Sequence, residues 1–361
     1  MRRGYIDWLR GLAVLIMVEA HTLDAWTRAP DRTTPVFGLG GILGGFGAPL
    51  FLFLAGVAVP LAVDARMRRG ADLRSAARAV QRRGWEVYGL AFLFRLQAKL
   101  LGGGAWSTLL RVDILNIMGP AIAIAAAIVG WTSSGRVRVV VLGAMAVLAG
   151  IATPFVRNAA WPSALPDFVE AYLRPVPSLT NFVLFPWAGF LAAGAVAGVL
   201  LARATDAHAE RRLNLAFLVS GALLAGGAFA ASFLPSAFPP TYFWTSSPAF
   251  FALRVGILLL LLPLSFAWNR LRDAVFASRS SFMQQFGRTS LFVYWIHVEM
   301  VYGRVSDPLH RSLSLWQWAA AYVLFTAFLS VLSVVKSWVA SRWHRRRDVA
   351  PRLERDTVPR P

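Results

Sequence analysis

Runs of apolar residues long enough to cross a bilayer recur along the whole chain, separated by short arginine clusters and by loops rich in Pro, Ser and aromatics. A membrane-spanning helix needs about 20 mostly apolar residues. On that measure the pattern predicts ten spans, near residues 6–26, 37–62, 84–101, 114–131, 137–156, 181–202, 213–234, 249–268, 286–304 and 315–340. The expected fold is all-α, a polytopic membrane helix bundle of about ten transmembrane helices that touch end to end and leave no room for a soluble domain. Residues 1–341 make up this membrane domain, and 342–361 read as a basic, disordered tail. The second span is dense in glycine (Gly38, Gly40, Gly41, Gly44, Gly45, Gly47), which allows close helix approach, and Pro49 predicts a kink or break in it.

Charge gives the spans a direction. Alternating them collects Arg2 and Arg3, the 64–83 segment, Arg136 and Arg138, Arg203 to Arg212, Arg270 to Arg279 and the tail on one side, while the 157–180 and 235–248 loops fall on the other. Positively charged loops stay in the cytoplasm, so both termini are expected there. The net charge of +19 thereby has a topological origin, and a nucleic-acid partner is not expected. The 64–83 segment reads as a stop-transfer in contact with anionic lipid, or in part as a contact for cytosolic phosphates. Composition agrees: 57% of residues are hydrophobic and only 15% charged, against about a quarter charged in soluble domains. The absence of cysteine excludes disulfides, thiolate metal ligands and a catalytic thiol. No small-residue cleavage site follows Met1-Arg2-Arg3, so the first helix is expected to remain as a signal anchor.

Against that background, ionisable groups inside spans are the candidates for chemistry. In the first helix Asp7, Arg10, Val14, Met17, His21 and Asp24 form one stripe. Arg10 and His21 are eleven positions apart, an axial separation of about 16 Å. Arg95 in the third span is expected to face the bundle, whereas Lys99 can snorkel outward. Asp113 and Asn116 share a face near the same outer boundary as His21 and Asp24; Asp113 serves equally well as a helix cap or as a site residue. Pro186 loosens the start of the sixth span, beside Trp187, which is an interfacial anchor or a cavity wall. Arg254, one turn into the eighth span, reads as interfacial. The ninth span places Tyr294 and His297 on one stripe, with Arg288 about 13 Å below the histidine by helical rise. No metal-spacing motif is present, and no metal is expected.

The segments Ile6-Asp7-Trp8-Leu9-Arg10-Gly11-Leu12-Ala13, Met17-Val18 and His21 resemble the opening helix of bacterial proteins similar to the catalytic domain of heparan-α-glucosaminide N-acetyltransferase. Pro49-Leu-Phe-Leu-Phe-Leu-Ala-Gly56, Asp113-Ile-Leu-Asn-Ile-Met-Gly119, Phe185-Pro-Trp-Ala-Gly189 and Gly287-Arg-Thr-Ser-Leu-Phe-Val-Tyr-Trp-Ile-His297 look like later motifs of that family. The Arg10-to-His21 spacing also resembles the wider transmembrane acyltransferases, including the acyltransferase-3 group. The wider resemblance implies that Arg10 lies toward the CoA phosphates and that His21 is catalytic. The chain begins directly on the first helix, where the lysosomal enzyme carries a large luminal domain. A bacterial glycan, or another amine or hydroxyl, is therefore expected as acceptor rather than heparan sulfate.

These readings combine into an expectation: a bacterial inner-membrane acyltransferase moving an acetyl or other acyl group from cytosolic acetyl-CoA to an amino sugar or glycan. His21 acts as general base or as acyl carrier, and the residues leave both routes open. Asp24 or Asp113 would orient its ring, with His297 as a further catalytic candidate. Arg10, Asp7 and Arg288 are assigned to the donor, because arginine binds phosphate bidentately and stays charged. Asn116, Trp187, Tyr294 and Arg95 are assigned to the acceptor. Membrane lipids are expected partners, and the small-residue helices permit a homodimer. The alternative is a proton-coupled transporter of a small polar substrate, since intramembrane Arg, Asp and His also mark such paths.

Overall fold

The computed structural model describes residues 3–103, 105–276 and 281–356. Arg2, Arg279 and the tail from 357 onward, all counted above on the basic side, lie outside the described residues. The architecture is all-helical. Among the described residues the α-helices run, in chain order, α1 (Gly4–Trp26), α2 (Pro35–Gly44), α3 (Gly47–Met67), α4 (Leu73–Gly102), α5 (Ile114–Trp131), α6 (Gly135–Asn158), α7 (Asp167–Leu173), α8 (Leu184–Arg203), α9 (Ala207–Ala231), α10 (Phe243–Ser246), α11 (Pro248–Phe276), α12 (Phe282–Arg288), α13 (Ser290–Tyr302) and α14 (Leu315–Asp356). Among the described residues extended pairing is confined to two isolated bridges, Thr27 with Leu313 and Val112 with Thr180.

Among the described residues seven helical segments are long and apolar enough to cross a membrane: Pro35–Met67, Ile114–Trp131, Gly135–Asn158, Leu184–Arg203, Ala207–Ala231, Pro248–Val275 and Leu315–Arg342. This fits a multi-pass membrane protein. The three remaining predicted spans correspond to α1, α4 and the pair α12–α13. α1 holds Asp7, Arg10, Glu19 and Asp24, α4 begins in the basic segment, and α12–α13 is broken at Thr289 (φ −111°, ψ 14°).

Two expectations about boundaries are corrected. The second span breaks at Gly45–Phe46, ahead of Pro49, which sits in the first turn of α3. A first-turn proline lacks only an N–H that would go unpaired there anyway, so it does not break the helix. The connection over 64–83 is also shorter than the span boundaries predict. α3 continues through Met67, and Asp72 caps α4 by accepting from the Ser75 amide at 2.9 Å. α14 continues as helix through residues 342–356.

The chain divides into two compact units, residues 1–41 with 279–361, and residues 42–278. In the first unit, α1 packs against α12, α13 and α14. A Cβ at Gly11 would fall on the Met283 carbonyl, and one at Gly287 on the Asp7 carbonyl, so α1 and α12 meet backbone to backbone. Beyond α1 the chain is tied to the start of α14: Leu313 donates to Trp26 and Arg28 donates to Leu313, each at 2.9 Å. Asp31 accepts from the Leu315 amide at 2.9 Å. That bond, together with Arg28, holds the Asp31 carboxyl below its ordinary range. At the α12–α13 break, Thr289 and Ser333 share a hydroxyl–hydroxyl bond of 2.6 Å.

In the second unit α3 packs on α8, α4 on α5, α6 on α8 and α9 on α11. Its core is fully buried and apolar, with Leu50, Phe53, Leu115, Phe190 and Leu191 within it. Glycine sets the closest approaches: Gly194 stands against the Phe53 carbonyl, Gly56 against the Leu191 carbonyl, and Gly84 against Gly119. Large apolar side chains face outward instead on α6, α9 and α11, among them Val140, Leu148, Leu223, Phe229 and Leu264. Such a surface suits lipid rather than water.

Candidate active site

In the first unit, α1 gathers its polar groups at two levels. Near its start, Asp7 is buried, with a side chain 5% exposed, and stands between two arginines. Arg10 Nη1 lies 3.8 Å from Asp7 Oδ1, and Arg288 Nε lies 3.8 Å from Oδ2. The bare Cα of Gly287 lets α12 approach closely enough for its neighbour Arg288 to reach the aspartate. At this separation the contacts are ion pairs rather than hydrogen bonds. The two guanidinium groups, 28% and 43% exposed, thus stand side by side and open outward. Such a pair can grip an anion that a single arginine would hold loosely.

Three turns further along α1, His21 meets His297 of α13, with Nδ1 of the first 3.0 Å from Nε2 of the second. The rings are within 15° of coplanar and their centroids are 5.1 Å apart. With the nitrogens 3.0 Å apart, that spacing puts the rings edge to edge in one plane rather than face to face. His297 is fully buried, and its Nδ1 lies 2.9 Å from the Val293 carbonyl. A carbonyl only accepts, so His297 Nδ1 carries the proton. In the neutral ring Nε2 then accepts, and His21 Nδ1–H donates to it. The His21 ring is partly exposed. The Tyr302 and Tyr294 rings meet His21 and His297 edge-on, at centroid distances of 5.5 and 5.7 Å.

The other acids of α1 take separate paths. Asp24, 62% exposed, is held by Arg32, whose Nη2 donates to Oδ1 at 2.7 Å. Glu19 is buried inside the helix run, and its Oε2 has no hydrogen-bond partner among the described residues. Gly40 of α2 and Tyr322 of α14 face it. Sequence reasoning passed over Glu19 because it lies off the Arg10–His21 stripe; a lone acid in an apolar span was signal enough.

The second unit holds Arg95, Asp113 and Asn116 together. Asp113 caps α5 through the Ile114 amide (2.7 Å) and accepts from Arg95 Nη2, while Asn116 Oδ1 accepts from the Asp113 amide (2.9 Å). Asn116 also donates to the Tyr172 hydroxyl at 3.4 Å, and Tyr172 meets the Tyr88 hydroxyl at 3.2 Å. Tyr172 belongs to α7, in a connecting segment with no periodic pattern to announce it. Burial and the neighbouring Tyr88 push its phenol above the usual range.

Trp187 lies elsewhere in this unit, on a cavity of about 370 Å³. The C-terminal end of α6 and the first turns of α8 and α11 build it, and the cis Phe185–Pro186 peptide lies at its edge. Arg157 and Arg254 reach into it, beside Trp187, Trp244 and Phe250. Arg254 thereby has a cavity to line as well as a place near the end of its helix. Arg157 was not singled out from sequence, because arginine at the end of a span ordinarily signals only the interface. Among the described residues no group of three or more His, Asp or Glu is arranged to hold a metal ion.

No curated protein sequence matches the chain. The family model for the catalytic part of heparan-alpha-glucosaminide N-acetyltransferase matches residues 2–227, from the start of α1 into α9. The match takes in well over half of the sequence, and the chain belongs to that family.

Proposed function

We propose that this protein is a membrane acyltransferase that carries an acetyl or other acyl group from cytosolic acyl-CoA to an amine or hydroxyl of a sugar or glycan beyond the membrane. One observation carries the reading: His21, paired with His297, stands on the same helix as Arg10 and Asp7 of the Arg10–Asp7–Arg288 cluster. The family's printed name supports the reaction class.

In this scheme Arg10 and Arg288 take the CoA phosphates, and Asp7 keeps the two cations together. The pantetheine arm then runs along α1 over about 16 Å of helical rise. At the far end His21 Nε2 acts in one of two ways. As general base it removes the proton of the acceptor amine or hydroxyl as that group attacks the thioester, and returns it to the departing thiolate. As acyl carrier it attacks the thioester itself, releases CoA thiol, and passes the acyl group to the acceptor in a second step. In both, the Val293–His297–His21 chain fixes the ring and its tautomer. Tyr294 steadies His297. Trp187 is the acceptor-side residue of the second unit, where Arg95, Asp113 and Asn116 brace α5 against Tyr172.

The charged helices α1, α4 and α12–α13 complete ten crossings in this proposal. Both termini are cytoplasmic, and the segment from 342 onward is a basic tail in the bacterial inner membrane's cytoplasmic interface. The deciding experiment uses purified protein with radiolabelled acetyl-CoA and amino-sugar acceptors. Transfer or hydrolysis should fall by about 10²-fold or more in His21→Ala, and wild-type turnover by that variant would overturn the assignment.

Glu19 favours a second reading, proton-coupled transport, because a buried carboxyl with an unpartnered oxygen is a natural proton-binding group in a span. Substrate uptake into proteoliposomes without CoA, abolished in Glu19→Gln, would establish it; no uptake would remove it.

A further inference from the structure

The cavity of the second unit holds a charge imbalance that the acyl-transfer scheme does not use. Arg157 and Arg254 both line it, and no acidic side chain does. The Nε of each guanidinium is buried and has no hydrogen-bond partner among the described residues. Among the described residues neither arginine meets a carboxylate; Arg254 instead lies over the Phe250 ring, its Cζ 4.1 Å from the centroid. A cation away from water is costly unless an opposite charge compensates it. Two such cations around one space therefore describe a socket for an anion, and planar forks suit the paired oxygens of phosphate or carboxylate.

The rest of the wall defines what carries that anion. Trp187 and Trp244 present large ring faces, while Asn181 offers a polar edge. A volume of about 370 Å³ lies at the small end of ligand sites. It suits a compact polar body such as a monosaccharide or a glycerol headgroup.

We propose that this cavity binds a phosphate or carboxylate group carried on a small polyhydroxylated body, with Arg157 and Arg254 as the anion clamp. The cavity shares Trp187 with the acceptor side of the acyl-transfer reading, but the anion clamp of Arg157 and Arg254 has no part in that scheme and needs no acyl donor to be observed. Its chemistry is shared by a free anionic sugar and by the headgroup of an anionic lipid, and the test separates the two sources.

Delipidated protein in neutral detergent is titrated calorimetrically with glucose 1-phosphate and methyl glucuronide, with methyl glucoside as the neutral control. In a second arm, retention of phosphatidylglycerol against phosphatidylcholine is read by native mass spectrometry after passage through mixed vesicles. Binding of an anionic sugar, weakened about tenfold or more in Arg157→Gln and in Arg254→Gln, assigns the site to a soluble ligand. Arginine-dependent retention of phosphatidylglycerol alone assigns it to lipid; either result supports the clamp. The proposal is overturned if no anion binds in either arm, if the neutral glucoside binds as well as the anionic sugars, or if the glutamine variants bind like wild type. Should a glutamine variant fail to stay monodisperse, Arg→Lys at the same position replaces it, and the wild-type contrast between charged and neutral ligands still decides.

Discussion

At the scale of single residues, the informative feature is a proton inventory rather than a list of polar groups. The Arg10–His21 stripe is legible in the sequence, because helical periodicity alone puts those side chains on one face. The partner that orients the histidine is not legible. Asp24 is the nearest acid by spacing, yet Arg32 holds it, and the ring meets His297 from a helix 276 positions away. No local pattern encodes such a contact. In the proposed scheme His297 is a positioning residue, acting on the reaction only through His21. Its removal therefore has a distinctive expected outcome. His297→Phe keeps a ring of similar size and deletes the acceptor for His21 Nδ1–H, so the His21 tautomer is no longer fixed. The acyl-transfer kcat should fall about 10- to 100-fold with the KM for acetyl-CoA little changed, and the pH–rate profile should move. Steady-state kinetics across pH would show it. An unchanged profile at full kcat would leave His297 with packing alone.

At the scale of elements, glycine density was readable but glycine partners were not. The sequence marks the second span as a close-packing helix; only the fold shows that Gly56 and Gly194 place α3 and α8 backbone to backbone, and that Gly11 and Gly287 do the same for α1 and α12. The second pair matters for chemistry, because Arg288 reaches Asp7 from the residue beside Gly287. The same mechanism explains the misplaced kink: Pro49 falls in a first turn, where proline is harmless, and the break moves to Gly45–Phe46. Two alanine substitutions should separate packing from propensity. At Gly194 the new methyl meets the Phe53 carbonyl, while at Gly226 nothing lies within 4 Å. Gly194→Ala should lose about 1–3 kcal/mol through overpacking. Gly226→Ala should gain about 0.5–1 kcal/mol, as alanine does in a helix interior. Thermal unfolding in detergent measures both, and equal effects at the two sites would refute the close approach of α3 and α8.

At the scale of the whole molecule, charge and crossing are in tension. Among the described residues seven segments announce themselves as spans by composition, whereas α1 and α4 carry too many ionisable groups for the same measure and α12–α13 is broken at Thr289 into helices too short for it. The helices that carry the candidate site are thus the least membrane-like, which is why the all-helical membrane class was legible while the count depends on loop charge. The family match, ending in α9, covers α1 and α4 but stops before α12–α13. If those helices also cross, every connection alternates sides, and the arginine-rich ones face the donor's compartment. The absence of cysteine makes this testable without background. Single cysteines in place of exposed Ala29, Ser107, Ser163, Ser236 and Ser312 should react with a membrane-impermeant maleimide in intact cells. Cysteines at exposed Gly70, Ser133 and Thr205 should react only after permeabilisation. Labelling of Ala29→Cys and Ser312→Cys carries the most weight, because those positions follow α1 and α13. If they are protected while Ser163→Cys reacts, the two charged helices do not cross, His21 has no route from cytosolic donor to outer acceptor, and transfer across the membrane fails as the function even if the histidine pair is reactive.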